Sequence, residues 1–166
     1  PVSPDSFWLK ATDQTGTVVA TAALSVQRSQ GLLDDMRSGR LWYRPDRLPD
    51  DWSLMAEVIA APAAGVIGHY SHGGGVFVEP QWRSSGVGRD LQRICRAMTL
   101  RCEGLAFVTG FILEELASRN GGQRIYGYPP GGVEPVLAGY WPVVQRPVRL
   151  HLCHMPAAQA LTMLSD

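Results

Sequence analysis

Apolar and polar positions change their period several times along the chain, and each change marks an element. Phe7 to Ala11 and the β-branched run Thr17 to Val26 flank the polar turn Thr12-Asp13-Gln14-Thr15-Gly16, a pattern that predicts a hairpin. Gly31 to Ser38 carries helix-forming residues, with Gly39 as a natural C-terminal stop. Leu41 to Trp52 has no period and holds two Trp, one Tyr and two Pro, so an ordered loop or lid is expected there. Leu54 to Ile67 is apolar and alanine-rich and fits either a strand pair or a helix, which periodicity alone does not decide.

The clearest pattern follows. Gly75 to Val78 reads as a short strand ending at Pro80, and Gly86 to Cys102 as a helix. Its apolar face is Val87, Leu91, Ile94, Cys95, Met98 and Cys102, with Arg89, Arg93, Arg96 and Arg101 off that face. Leu105 to Phe111 reads as a buried strand and Leu113 to Arg119 as a helix stopped by Asn120-Gly121-Gly122. Val148 to Cys153 reads as a final strand. Strand, glycine-rich turn, amphipathic helix and buried strand make a β-α-β unit.

Composition narrows the class. The 166 residues suit one domain spanning 1–166, and 45% hydrophobic against 18% charged residues can build a sizeable core. Gly 18 and Pro 12 argue against a helical bundle and for a mixed α/β fold. Lys+Arg and Asp+Glu are both 15, so no general field draws the chain to nucleic acid or to an anionic membrane. No apolar run reaches the ~20 residues of a membrane span. Cys95, Cys102 and Cys153 are an odd set, the first two roughly 10 Å apart along one helix. A disulfide scaffold is therefore excluded and a reducing, cytoplasmic setting expected. The chain opens at Pro1 rather than methionine, and further residues upstream are expected.

The turn before the long helix carries the chemistry. Gly86 and Gly88 leave out side chains where the loop enters the helix, so backbone N–H groups can converge on an anion at the positive end of the helix dipole. Ser84 and Ser85 add hydroxyls and a cap, and Arg83 and Arg89 add charge. Glycine spacing alone is equally well explained by a tight turn before a capped helix. Neither a G-x-x-x-x-G-K-[ST] nor a G-x-G-x-x-G helix start is present. His72-Gly73-Gly74-Gly75 looks like an esterase oxyanion loop, but no G-x-S-x-G supplies its serine. His69/His72 and His151/His154 are three apart, and on strands such pairs point to opposite faces, so no metal site is expected.

The longer string, Val78 and Pro80 followed by Arg83-Ser84-Ser85-Gly86-Val87-Gly88, resembles motif A (R/Q-x-x-G-x-G/A) of the GCN5-related N-acetyltransferases, the GNAT family. The resemblance covers residues 75–111 well and the remainder only by element order. It implies a central mixed twisted sheet flanked by helices, and acetyl-CoA as cosubstrate. It also implies that the pyrophosphate lies on the turn (Arg83, Ser84, Ser85, Gly86, Val87, Gly88, Arg89), while Phe77 and Val78 hydrogen-bond the pantetheine and acyl carbonyl. The activity implied is acetyl transfer to an amine by direct attack in a ternary complex. The alternative is a non-catalytic acyl-CoA-binding module of the same fold.

Such a transfer needs a neutral nucleophile, a polarised carbonyl and a proton for the thiolate. Glu79, His72 and Tyr70 are the candidate bases on or near the strand. Family members often carry an acid tyrosine where this chain has Ala117 and Ser118, so Tyr126 and Tyr128 are the candidates for that role, with packing as the other explanation. Leu41 to Trp52 and Gly139-Tyr140-Trp141-Pro142 are expected to line an acceptor pocket or a homodimer interface. A small amine or an amino-terminal group is the expected acceptor.

Overall fold

The computed structural model describes residues 6–54, 57–58 and 60–165. The hairpin forms as read: β1 (Ser6–Thr12) pairs antiparallel with β2 (Val18–Gln27). Asp13 Oδ1 closes the turn, accepting from the Thr15 and Thr17 N–H groups at 2.9 and 3.0 Å. After α1 (Leu32–Arg37), the loop from Leu41 makes two short 3-10 turns, Pro45–Arg47 and Asp50–Leu54. The undecided stretch after it is neither a strand pair nor one helix. Its described residues give a short strand, β3 (Glu57–Val58), and a short helix, α2 (Ala60–Ala64).

The β-α-β unit is β4 (His69–Val78), α3 (Val87–Thr99) and β5 (Leu105–Leu113). Two short helices, α4 (Glu114–Ala117) and α5 (Gly121–Arg124), lead to β6 (Val133–Trp141), β7 (Arg146–Pro156) and α6 (Ala157–Ser165). Among the described residues seven strands join one mixed sheet in the order β1-β2-β4-β5-β7-β6-β3, in which only β4 and β5 run parallel. On one face α1 and α2 bury Leu32, Met36, Ala63 and Val66 against Tyr70, Leu150 and Leu152. On the other, α3 covers Ala20, Ala22 and Leu24, and α6 packs beside Val108 and Met155. Among the described residues no helix is long and apolar enough to cross a membrane.

Four readings need correction. β4 begins at His69 rather than Gly75, because Tyr70 and Ser71 are buried between β2 and β5 and the glycines pair through their backbones. The buried side of α3 is Leu91, Gln92, Cys95, Arg96 and Thr99. Ile94 and Met98, read as part of the apolar face, are 50% and 41% exposed, while Arg96 is 5% exposed. The helix read as Leu113 to Arg119 ends at Ala117, ahead of the Asn120 break, and Gly121 and Gly122 then start a further helix, α5. They are small because a Cβ would lie 2.7 Å from Leu116 O and 2.5 Å from Val133 Cγ2 respectively. Strand β6 escaped the pattern altogether, since Pro135 and Gly139 punctuate it and its register shifts between Pro135 and Leu137.

Candidate active site

The site arises where β4 and β5 part. Their ladder runs from His69 and Leu105 to Gly73 opposite Gly110 and then ends, although both strands continue. The cause lies in β4. Its register against β2 shifts between Thr21 and Ala23, where Gly75 takes φ +60 and swings the strand aside. A Cβ there would also meet the Trp8 ring at 2.9 Å.

Two connected clefts fill the gap. The outer one, about 830 Å³, lies over the first turn of α3 and is lined by Phe77, Val78, Ser84, Gly86 and Gly88. Four arginines, Arg83, Arg89, Arg119 and Arg124, surround it. Gly86 has φ +88, and among the described residues the N–H groups of Gly86, Gly88 and Arg89 have no acceptor at this helix start. Gly88 lets α3 close onto β4, since a Cβ would stand 3.0 Å from Val78 Cγ2. Of the expected phosphate-turn residues, Ser85 and Val87 do not line the cleft. The Ser85 hydroxyl donates to Trp82 O and accepts from Val87 N–H, and the Val87 side chain joins the core under β1 and β2.

Sequence reading missed Arg119 and Arg124, which reach the cleft only because α4 and α5 fold back beside it. The available signal was two arginines flanking the Asn120-Gly121-Gly122 break. If the cleft takes the CoA that the motif resemblance implies, replacing either with glutamine is expected to weaken its binding about 3- to 10-fold, more at low salt, because an exposed cation facing a phosphate is screened. Titration calorimetry at two ionic strengths checks this, and an unchanged affinity in both variants would remove these residues from the anion site.

The inner cleft, about 270 Å³, runs between the separated strands past Gly73 to Val76, Gly110 to Leu113, Gln92, Tyr126 and Tyr128. Tyr126 borders both clefts. Burial raises its hydroxyl pKa, with nearby Cys153 adding to the effect. Burial also raises Tyr128, against the pull of the Arg96 guanidinium 4.9 Å from its ring centre. Both phenols therefore hold their protons well above neutrality.

His72 stands on the opposite face, its ring 4.7 Å from Phe111, which lines the cleft. Thr109 determines its tautomer. The Thr109 hydroxyl donates to Ser71 O at 2.8 Å, so its oxygen must accept from His72 Nδ1–H at 3.1 Å. Nε2 keeps its lone pair, and burial holds the imidazole pKa down at about 4, so the ring is neutral at physiological pH. The other candidate bases lie elsewhere. Tyr70 is fully buried and donates to Asp35 at 2.7 Å. The Glu79 backbone extends the β2 ladder, its N–H donating to Val19 O, and Glu79 lines neither cleft. His151 and His154 each bond a separate carboxylate, Glu114 at 2.6 Å and Glu134 at 2.8 Å. No group of three metal-ligating side chains converges among the described residues.

The two aromatic segments meet on the His72 face. Trp42 contacts Trp52, Trp141 and Phe111 at 5.5 to 5.9 Å between ring centres. Tyr140 fastens the loop by donating to Asp51 at 2.7 Å.

No family model matches the sequence, and no curated protein does so either. Solved structures do match. The chain aligns over 99% of its length with 72% of a spermidine N-acetyltransferase, SpeG, from Vibrio cholerae, at a TM-score of 0.53 and 8% identity. It aligns over 93% with 77% of Arabidopsis thaliana NAA60 in complex with acetyl-CoA, at 0.55 and 12%. Chaetomium thermophilum Naa20 in complex with a bisubstrate analogue gives 92% against 67%, at 0.55 and 16%. The fold is the GNAT fold. Within it, the parting of β4 and β5, the glycine turn at α3 and the two connected clefts stand together in this chain. The helical position read as a common site of the acid tyrosine is here the end of α4, at Ala117 and Ser118.

Proposed function

We propose that the protein is an acetyl-CoA-dependent N-acetyltransferase. The observation that carries this reading is one continuous passage with a cationic glycine turn at its outer end and two still-protonated tyrosines at its inner end, while the neutral His72 lies on the other face against Phe111, which lines the passage. The residues fit CoA. Unpartnered N–H groups and four arginines suit its phosphates, while the strand ends at Phe77 and Val78 suit an extended amide-bearing arm. The thioester, when bound, supplies an acyl carbon open to direct attack by an amine.

His72 Nε2 takes the proton of the attacking amine as the C–N bond forms, and Thr109 keeps that nitrogen unprotonated beforehand. Tyr126, at the junction of the clefts, donates to the sulfur as the C–S bond breaks. Tyr128 is the second candidate for that role. The acceptor approaches from the face of Trp42 and Trp141. A small amine or an amino-terminal group is the class that suits this pocket, and the spermidine enzyme shows that the fold serves amines.

Acetyl-CoA at about 100 times its Kd is expected to raise the melting temperature by about 5–10 °C. Thiol release with a panel of amines then tests turnover. No thermal shift would overturn the cosubstrate, and a shift without turnover by any amine would favour the non-catalytic module.

A further inference from the structure

The inner end of the cleft is more polar than an acetyl methyl requires. Gln92 is 8% exposed, and its Nε2 is fully buried with no hydrogen-bond partner. A buried amide donor left unpaired is costly, so its partner is to be sought in a ligand. Gln92 lines the cleft beneath Gly73, its Oε1 3.6 Å from where a Cβ of Gly73 would be. Turning the amide over exchanges the two ends, so either atom can face the space.

Directly across the ladder is Gly110, where a Cβ would come within 3.4 Å of the Tyr128 hydroxyl. Two facing glycines thus leave a space bounded at its far end by an amide and a phenol. Neighbouring strands are only about 4.8 Å apart, so one short chain can reach both. Behind Tyr128 lies Arg96, 5% exposed, donating to Tyr126 O and stacked on the Tyr128 ring. Among the described residues no carboxylate pairs with it. A buried cation without a counter-charge favours an anion nearby. Two donors and one positive field converge on a space whose lining also includes the apolar Ile112 and Cys153.

We propose that this pocket is an acyl subsite for a short chain ending in a carboxylate, so that the protein takes monothioesters of CoA with small dicarboxylic acids in addition to acetyl-CoA. The carboxylate accepts from Gln92 Nε2 and the Tyr128 hydroxyl, and Arg96 balances its charge through the ring. The proposal rests on the CoA reading above and specifies the acyl group that this reading leaves open. Gly73 and Gly110 are small because the acyl chain passes over the pair toward Gln92 and Tyr128.

The test is titration calorimetry of the full chain with acetyl-, butyryl- and succinyl-CoA. Butyryl and succinyl chains have the same length and differ in a methyl against a carboxylate. Succinyl-CoA is expected to bind at least ~10-fold tighter than butyryl-CoA, the range for hydrogen bonds to a charged group. That advantage should persist at high salt, because a buried pair is poorly screened. Gln92→Leu is expected to bring the ratio close to one. Gly73→Ala, whose new methyl makes only ordinary contacts at 3.6 Å, should disfavour both long chains relative to acetyl-CoA. Butyryl-CoA binding as tightly as succinyl-CoA, or an advantage that survives both substitutions, would overturn the subsite while leaving acetyl-CoA binding intact. If no thioester binds, the CoA reading falls and the subsite falls with it.

Discussion

His72→Ala is expected to lower kcat ~100-fold to 10,000-fold, the usual worth of a general base, while affinity for acetyl-CoA stays nearly that of the parent. The separation follows from position, since His72 lies on the face away from the glycine turn and touches the cleft only through Phe111. Its pH signature has a definite sign. The free imidazole is the active form, and its pKa is held at about 4 instead of 6.5, so the acid limb of kcat/KM is expected near pH 4. Folding is linked in the same direction. The stability contributed by the depressed pKa is present above 6.5 and lost as pH falls through about 4. Thr109→Val removes the acceptor that selects the tautomer and should lower kcat without moving KM for acetyl-CoA, whereas Thr109→Ser should restore it. Glu79→Gln should behave as the parent. An acid limb near 6.5 in the parent, or full activity in His72→Ala, would remove His72 from proton transfer.

Gly121→Ala is expected to damage stability and binding together. The new methyl would sit 2.7 Å from Leu116 O and 3.2 Å from Leu116 Cβ, so α4 and α5 must separate. Overpacking of this kind costs about 1–3 kcal/mol. The same displacement would carry Arg119, Arg124 and Tyr126 away from the clefts, so CoA affinity should fall by more than either arginine substitution causes alone. Gly65→Ala is the control, because its Cβ position meets only ordinary contacts at 3.5 and 4.0 Å and it lines neither cleft. Urea titration and calorimetry on the two variants decide the matter. Equal midpoints would mean that the α4–α5 junction is looser than its geometry indicates.

The parts of the molecule legible in the sequence were those where one local pattern decided the outcome. The hairpin at Asp13, the α3 turn and strand β5 obey short-range rules of turn chemistry and periodicity. Arg96 shows why reading stops. On a helical projection it belongs with the solvated residues, but the turn at Tyr126, thirty positions later, supplies the carbonyl that receives it. Likewise, nothing local shows that Asn120 adopts φ 56 and that Gly121 starts a new helix, because the reason is the closeness of Leu116 and Val133. The candidate site divides in the same way. Its glycine turn is contiguous and visible, whereas His72 became distinct from Glu79 and Tyr70 only when Thr109, Phe111 and Asp35 came into contact with the respective strands.

The unzipped end of the β4–β5 ladder gives the molecule a mechanical character. Past Gly73 and Gly110, among the described residues β4 pairs with β2 alone and β5 with β7 alone. The sheet therefore behaves there as two leaves hinged at the glycine pair, each with a row of backbone groups facing a gap. An extended ligand lying in that gap would act as a strut, bonding to both leaves and stiffening a joint that the chain itself leaves sprung. Amide hydrogen exchange along Gly74 to Val78 and Phe111 to Leu113 should therefore slow when the passage is filled, while the paired lower halves of the same two strands, already locked, should show little change.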